Sequence, residues 1–274
     1  MRSIRIYSIS FILLFSFSSV AQHTDTLLNQ ELLNLEWQIF ESSDNDARYE
    51  LILKKALLLK RKGRAIEASR TLSRIPYKST NPNVGLETAY NLALLHFAQN
   101  QFQDAQRYLS DCYYFFDAAQ TDTRIQFLQI LVYNGLENYD DAKEALGKLN
   151  RQCRKPVDAD SAYQDITNLK DPEKARRLSA YLPGLGQWYV GDFWRGMNSF
   201  LLHAATITYM AYCGANKLYL NGIFSGFSLF AAFYSGGKRN AYALSIKQQQ
   251  NAVNQLNGYL IDWYYGACFQ TDTP

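Results

Sequence analysis

Hydrophobic positions recur with the period of an α-helix along most of the chain, which predicts an all-α protein. In the first half, apolar residues return at spacings of three and four within segments that polar turns separate. A first helix is predicted over residues 25–41, where one face is apolar. A similar stripe between residues 242 and 263 predicts an amphipathic helix near the C-terminus.

Two longer apolar runs, residues 197–215 and 218–236, differ from this pattern because neither contains Asp, Glu, Lys or Arg. Each has about the length that a helix needs to cross a bilayer. The short link between them makes the two helices antiparallel neighbours, so the pattern predicts a transmembrane helical hairpin. Gly222 and Gly226 have the small-xxx-small spacing that lets two helix backbones approach closely. The alternative is a buried hairpin in a soluble protein.

The hairpin is preceded by LPGLGQWYVGDFWRG, residues 182–196. Proline and glycine interrupt a regular helix there, and aromatic residues of this kind collect at membrane–water interfaces. The segment resembles the P-G-x-G-Q-x-Y-x-G motif of small bacterial membrane-hairpin domains, which are similar to the two-transmembrane-helix domain superfamily and have no established biochemical activity. The matching residues are Pro183, Gly184, Gly186, Gln187, Tyr189, Gly191 and Gly196. The resemblance implies a fold and a membrane location.

An internal repeat precedes the hairpin. RAIEASRTL, QFQDAQRYL and NYDDAKEAL align so that Ala68, Ala105 and Ala142 recur at intervals of 37 residues. A fixed period of this size predicts stacked helix pairs. The pattern resembles the tetratricopeptide repeat, which implies a helical solenoid with these alanines packed between the helices of each pair. The third repeat departs from the family pattern at Gln129 and Ile130. A helical bundle without repeats is the alternative.

The N-terminus predicts export. Arg2 and Arg5 precede an apolar stretch of about a dozen residues that ends in Ser19-Val20-Ala21, the pattern of a cleaved signal peptide. An uncleaved anchor is the alternative. The predicted organisation is a signal peptide at 1–21, a tetratricopeptide-like repeat domain at 22–155, a connector at 156–177, a membrane hairpin domain at 178–236, and an amphipathic helix and tail at 237–274.

Candidate chemistry is sparse. The net charge of +3 is nearly balanced, so no nucleic-acid surface is predicted. The three histidines, His23, His96 and His203, do not have metal-ligand spacing, and no Cys-x-x-Cys or P-loop occurs. We therefore predict no catalytic, cofactor-binding or metal-binding residues and no enzymatic activity.

Two structural questions stay open at this level. Cys112 and Cys153 lie in the exported region and either pair or remain separate buried thiols. The signal peptide places both flanks of the hairpin outside the cytoplasm, whereas the basic flanks favour the inside. A third membrane pass by residues 178–191 would place only the C-terminal flank inside.

The pattern as a whole predicts an interaction protein of the bacterial inner membrane. Its repeat domain would face the periplasm and bind a protein or peptide partner, in cell-envelope assembly or maintenance, while the hairpin contacts membrane lipid. A homo-oligomer formed through the C-terminal helix is compatible with this arrangement. The alternative is a membrane enzyme or transport accessory with a site at the start of the hairpin, involving Asp192 and His203.

Overall fold

The structure is a computed structural model that describes residues 29–268. The predicted signal peptide, residues 1–21, lies outside the described residues. Every regular element in the described range is helical, which confirms the all-α class. The chain divides into two compact units, and the boundary between them falls between Ala145 and Leu146. The boundary precedes the predicted domain limit at residue 155.

The first unit contains α1 to α6 and the start of α7. The helices are α1 (29–41), α2 (Asn45–Arg61), α3 (Ala65–Leu72), α4 (Pro82–Ala98), α5 (Phe102–Phe115), α6 (Thr123–Gly135) and α7 (Tyr139–Asn150), with a 3-10 turn at Asp117–Gln120. Side-chain oxygens of Asp44, Asn81 and Asp122 accept backbone N–H groups at the starts of α2, α4 and α6. These polar caps explain why the helices begin where they do.

The core of this unit is built from the apolar faces of successive helices. Each helix from α2 to α5 packs against the next one in the chain, and α4 also packs against α2 and α6. Ala89 and Ala93 of α4 are buried with Ala105 and Leu109 of α5 in one cluster. Small side chains at this crossing allow the two helices to approach closely.

The second unit begins within α7 and continues with α8 (Ala159–Ala162), α9 (Gln164–Thr167), α10 (Pro172–Tyr181), α11 (Leu185–Tyr189), α12 (Phe193–Ala215), α13 (Tyr219–Asn221), a π-helix (Gly222–Phe227) and α14 (Ser228–Ala267). Asp171 caps α10 through its bond to the Glu173 N–H, and Pro172 occupies the first turn. The sequence Asp-Pro-Glu accounts for this start, because an acidic cap followed by proline in the first turn is typical of a helix N-terminus.

Two features differ from the sequence-based expectation. The predicted second hairpin helix and the predicted C-terminal helix are not separate elements, because α14 runs without a break for 40 residues through Gly236 and Gly237. Residues 178–191, considered as a third membrane pass, are divided between α10, a turn and α11. Within residues 29–268, no helix combines the length and the apolar composition needed to cross a membrane.

Candidate functional site

The motif at the start of the hairpin forms the junction between α10, α11 and α12. Gly184 has a left-handed backbone, with φ of +98°, and immediately precedes α11. A side chain at Gly184 would collide with the carbonyl oxygen of Gly196 in α12. A side chain at Gly196 would in turn collide with the indole of Trp188. These two glycines are therefore required for the close contact of α11 with α12.

Gly186 and Gln187 join α11 to α10 and α14. A side chain at Gly186 would overlap the carbonyl oxygen of Ala175 in α10. The Gly186 N–H donates to Ser179 Oγ at 3.1 Å, and that hydroxyl donates to Gln187 Oε1 at 3.0 Å. Gln187 Nε2 donates to the Gly237 carbonyl of α14 at 2.9 Å. Because the Gln187 side chain is fully buried, each hydrogen bond of its amide group replaces one that water would otherwise make.

The remaining motif residues complete the same junction. Pro183 precedes Gly184 in the turn, and Gly191, with φ of +92°, forms the next turn. The Tyr189 ring lies under two cations, with Lys170 Nζ at 5.4 Å and Lys174 Nζ at 5.2 Å from its centroid. All seven motif residues therefore lie in the same junction of helices, and two lysines flank the ring of Tyr189.

Helix α14 is held along this junction by side chains that bond to backbone carbonyls. Tyr234 Oη donates to Ala180 O at 2.9 Å, and Gln248 Nε2 donates to Val190 O at 2.9 Å. Ser245 Oγ donates to Lys170 O at 2.6 Å. These contacts, spread over four turns of α14, explain why the helix continues past its two glycines.

The hairpin glycines face the first hairpin helix. A Cβ added at Gly222 would lie 3.2 Å from Cys213 Cβ, and one at Gly226 would lie 2.5 Å from Met210 Cγ. The structure places both glycines at the contact of α12 with the π-helix. This is the position that the small-residue spacing predicts for them.

His203 lies on α12 and is buried against α14. Its Nδ1 lies 2.7 Å from the Ser199 carbonyl oxygen, so Nδ1 carries a proton and donates to it. The ring makes edge contacts with Phe230 and Tyr234. Asp192, which the enzyme alternative paired with His203, instead caps α12 through the Arg195 N–H and forms an ion pair with the Arg195 side chain. The structure therefore does not bring the acid and the imidazole together.

A disulfide joins Cys153 to Cys268 across 115 residues, and Cys112 is a buried free thiol. The alternative that Cys112 pairs with Cys153 is wrong. Two further bonds accompany the disulfide, from Trp263 Nε1 to Lys155 O at 2.7 Å and from Arg154 N to Ala267 O at 3.1 Å. The end of α14 is therefore fastened to the segment that follows α7.

In the first unit, Ala68, Ala105 and Ala142 are all fully buried. Burial raises the pKa of the nearby Cys112 thiol to about 12, so the thiol is protonated at neutral pH.

A row of polar side chains crosses three helices of the first unit, since Lys60 of α2 donates to Asn91 of α4 and Arg124 of α6 pairs with Glu87 of α4. Burial also lowers the pKa of the Lys60 ammonium.

An exposed apolar stripe runs along α1. Leu33, Trp37 and Phe40 lie one or two turns apart on its outer face, and all three are exposed. Leu32 and Ile39 on the opposite face are buried in the core. The helix therefore packs by one face and presents large apolar groups on the other.

The described residues show little that points to catalysis. Within 29–268, no group of three or more His, Cys, Asp or Glu side chains could hold a metal ion. Comparison with known protein families, with characterised proteins and with solved structures finds no match to this chain. The fold and the geometry of its junctions are therefore the basis for a functional proposal.

Three parts of these sites were missed at the sequence level. Ser179 and Gly237 carry no periodic signal, because their role depends on the position of Gln187 in space. The pairing of Cys153 with Cys268 has only one sequence signal, namely an even number of cysteines in a chain with an export signal.

Proposed function

We propose that this protein is a membrane-anchored scaffold in which the hairpin of α12, α13, the π-helix and the start of α14 embeds in lipid. The helical repeats of the first unit would bind a protein or peptide partner on the periplasmic side of the bacterial inner membrane, in cell-envelope assembly or maintenance. The resemblances to tetratricopeptide repeats and to membrane-hairpin domains support the same assignment.

The observation that carries the anchoring proposal is the exposed apolar surface of the hairpin. Among the elements of the second unit, α12 packs against α11, α13, the π-helix and α14, and the rest of its surface is open. Exposed large side chains on the hairpin include Phe200, Leu201, Leu202, Ile207, Tyr212, Leu218, Tyr219, Leu220, Ile223, Phe224, Phe227 and Leu229. Exposed apolar surface of this kind is unfavourable in water and favourable in hydrocarbon.

Polar residues of α12 are compatible with lipid because they bond within the helix. Thr206 Oγ1 donates to Leu202 O at 3.1 Å, and Thr208 Oγ1 donates to Ala204 O at 2.8 Å. His203 bonds in the same way to the carbonyl one turn earlier. Internal hydrogen bonding of this kind lowers the cost of placing these groups in a bilayer.

The dimensions of α12 support the same location. From Trp194, which is 76% exposed, to Tyr212 the helix rises about 27 Å at 1.5 Å per residue, which is close to the thickness of a hydrocarbon core, about 30 Å. Both residues have an apolar ring with a polar edge that suits the interface. Lys170 and Lys174 lie near the Trp194 end, beside Tyr189, where they would meet anionic headgroups.

The disulfide supports both the compartment and the topology. Disulfides persist in oxidising compartments such as the periplasm. Because Cys153 precedes the hairpin and Cys268 follows it, a bond between them requires both flanks in one compartment. The chain between them must then cross the membrane an even number of times, which favours two passes over three.

Matched lysine substitutions test the anchor. Ile207 and Leu229 lie midway along the two hairpin helices and are 53% and 45% exposed. In lipid, each lysine would cost about 2.5–3.5 kcal/mol, so I207K with L229K should release the protein from carbonate-washed membranes or lead to its degradation. Leu33→Lys with Ile66→Lys, at exposed positions of the first unit, should leave fractionation unchanged. Recovery of the unaltered protein in the soluble fraction would refute the anchor.

The exposed stripe on α1 supports the scaffold part of the proposal. Trp is enriched among residues that dominate binding energy, and a stripe at helical spacing suits an apolar peptide or helix. Crosslinking in intact cells followed by mass spectrometry should identify a partner whose recovery falls with Trp37→Ala and Phe40→Ala. Gln38→Ala, on the same exposed helix, is the control. Equal recovery from all variants would show that the stripe does not bind the partner.

A further inference from the structure

A cavity of about 370 Å³ lies between α12 and the first half of α14. Its lining contains both polar and apolar side chains. The polar part includes Arg195, Asn198 and Asn240, and the apolar part includes Leu202, Ala232 and Phe233. A ligand that contacts both kinds of side chain would be amphiphilic.

His203 also lines this cavity and is only 3% exposed. Its Nδ1–H donates to the Ser199 carbonyl, so the neutral form of the ring would have its lone pair at Nε2. Nε2 is buried and has no hydrogen-bonding partner among the described protein groups. A buried acceptor left unpaired is unfavourable, so a ligand that donates a hydrogen bond to Nε2 would gain affinity from it.

The charges around the cavity decide which donor fits. Residues 193–240 contain no Asp or Glu, and the preceding Asp192 is already paired with Arg195. An ammonium group would therefore enter a site that has no carboxylate to balance it, beside a guanidinium group. A hydroxyl group donates equally well and carries no charge.

We propose that this cavity binds an amphiphile with a hydroxyl-bearing head and an apolar tail. One hydroxyl donates to His203 Nε2, and the other oxygens of the head meet Arg195, Asn198 and Asn240. The tail lies on Leu202 and Phe233. This site is additional to the anchoring and scaffold roles.

The test is ¹⁵N NMR of the histidine rings in the full-length protein, labelled at histidine and titrated with 1-monooctanoylglycerol. The Nε2 resonance of His203, assigned with His203→Gln, should move in the direction of hydrogen-bond acceptance and saturate. Methyl octanoate has the same tail without hydroxyl groups, and glycerol has the head without the tail. Neither should produce the shift. His96, whose Nδ1 bonds to Gln101 in the other unit, is the internal control.

A cavity-filling variant gives a second measurement. Gly236 lines the cavity, and a Cβ there meets no atom within 4 Å, so Gly236→Leu can be accommodated in the helix. It should weaken binding of 1-monooctanoylglycerol by about tenfold or more, because the tail loses its space. Gly258→Leu is the matched control, since it lies in the same helix, also meets no atom within 4 Å and does not line the cavity.

Any other outcome of these measurements would overturn the proposal. An equal shift with methyl octanoate would mean that the hydroxyl is not recognised, and an equal shift with glycerol would mean that the tail is not. No saturable shift with any probe would mean that Nε2 accepts no hydrogen bond from such a ligand. The titration does not depend on membrane insertion, so its failure would leave the anchor proposal standing, and failure of the lysine test would leave this site standing.

Discussion

At the scale of single residues, Gln187 is central to the junction of α10, α11 and α14. Its amide receives the Ser179 hydroxyl and donates to Gly237, so one side chain joins three helices. The glycines around it have no side chain because neighbouring backbones occupy that space. Packing and hydrogen bonding therefore account for the motif at the start of the hairpin.

We predict that Gln187→Leu destabilises the second unit by about 1–3 kcal/mol, because the part-buried Gly237 carbonyl and the buried Ser179 hydroxyl each lose their bond to the amide. Thermal unfolding of the purified full-length protein would measure the change. Gln250→Leu, at an exposed position of α14, should have little effect. A similar loss from both substitutions would mean that the amide network contributes nothing specific.

At the scale of elements, the first unit depends on close crossings of neighbouring helices. Ala105 of α5 is fully buried in the cluster that includes Ala89 and Ala93 of α4. Three further carbons at Ala105 would have to displace side chains or separate the two helices.

Ala105→Leu should therefore lower the free energy of unfolding by about 1–3 kcal/mol, the usual cost of overpacking a core. Chemical denaturation of the full-length protein would show it as an earlier transition of the first unit. Gln103→Leu, two residues away on the exposed face, is the control and should leave the transition in place. If both variants unfold alike, the assigned packing face of α5 is incorrect.

The hairpin uses the same kind of contact between α12 and the π-helix. Large side chains at Gly222 and Gly226 would overlap Cys213 and Met210. Gly222→Leu with Gly226→Leu should separate the two hairpin helices and make the protein more sensitive to protease, while membrane fractionation stays normal. Gly214→Leu, in the same hairpin but with no atom within 4 Å of its Cβ, should remain as resistant as the parent. Unchanged resistance of the double variant would argue against this contact.

At the scale of the whole molecule, the disulfide links the segment before the hairpin covalently to the segment after it. Cys112 and Cys213 are buried and Cys153 is bonded to Cys268, so the native protein has a low background for thiol labelling. Single cysteines introduced at exposed positions can therefore report which side of the membrane each segment occupies.

With two passes, an impermeant maleimide added to cells with a permeabilised outer membrane should label Asp160→Cys and Gln250→Cys but not Asn216→Cys at the hairpin tip. Lysed cells should give labelling at all three exposed positions. Labelling of only one flank would indicate an odd number of passes, which is incompatible with the disulfide. Labelling of all three positions before lysis would mean that the hairpin does not cross the membrane.

The sequence by itself determined the helical class and much of the local structure. Apolar spacing predicted the helices, and the local sequence Asp171-Pro172 accounts for the start of α10, because caps and periodicity depend on neighbouring residues in the chain. Glycine and proline in residues 182–196 predicted an interrupted helix, since their backbone preferences are also local. The spacing of Gly222 and Gly226 predicted which face of the second hairpin helix is small.

Tertiary structure alone decided what lies far apart in the chain. The continuity of α14 through Gly236 and Gly237 depends on α10, α11 and their bonds to residues 234–248. The pairing of Cys153 with Cys268 depends on the path of the 115 residues between them. The cavity beside His203 forms only where α12 and α14 meet. Each of these features is set by the packing of distant segments, and periodicity within one segment contains no information about it.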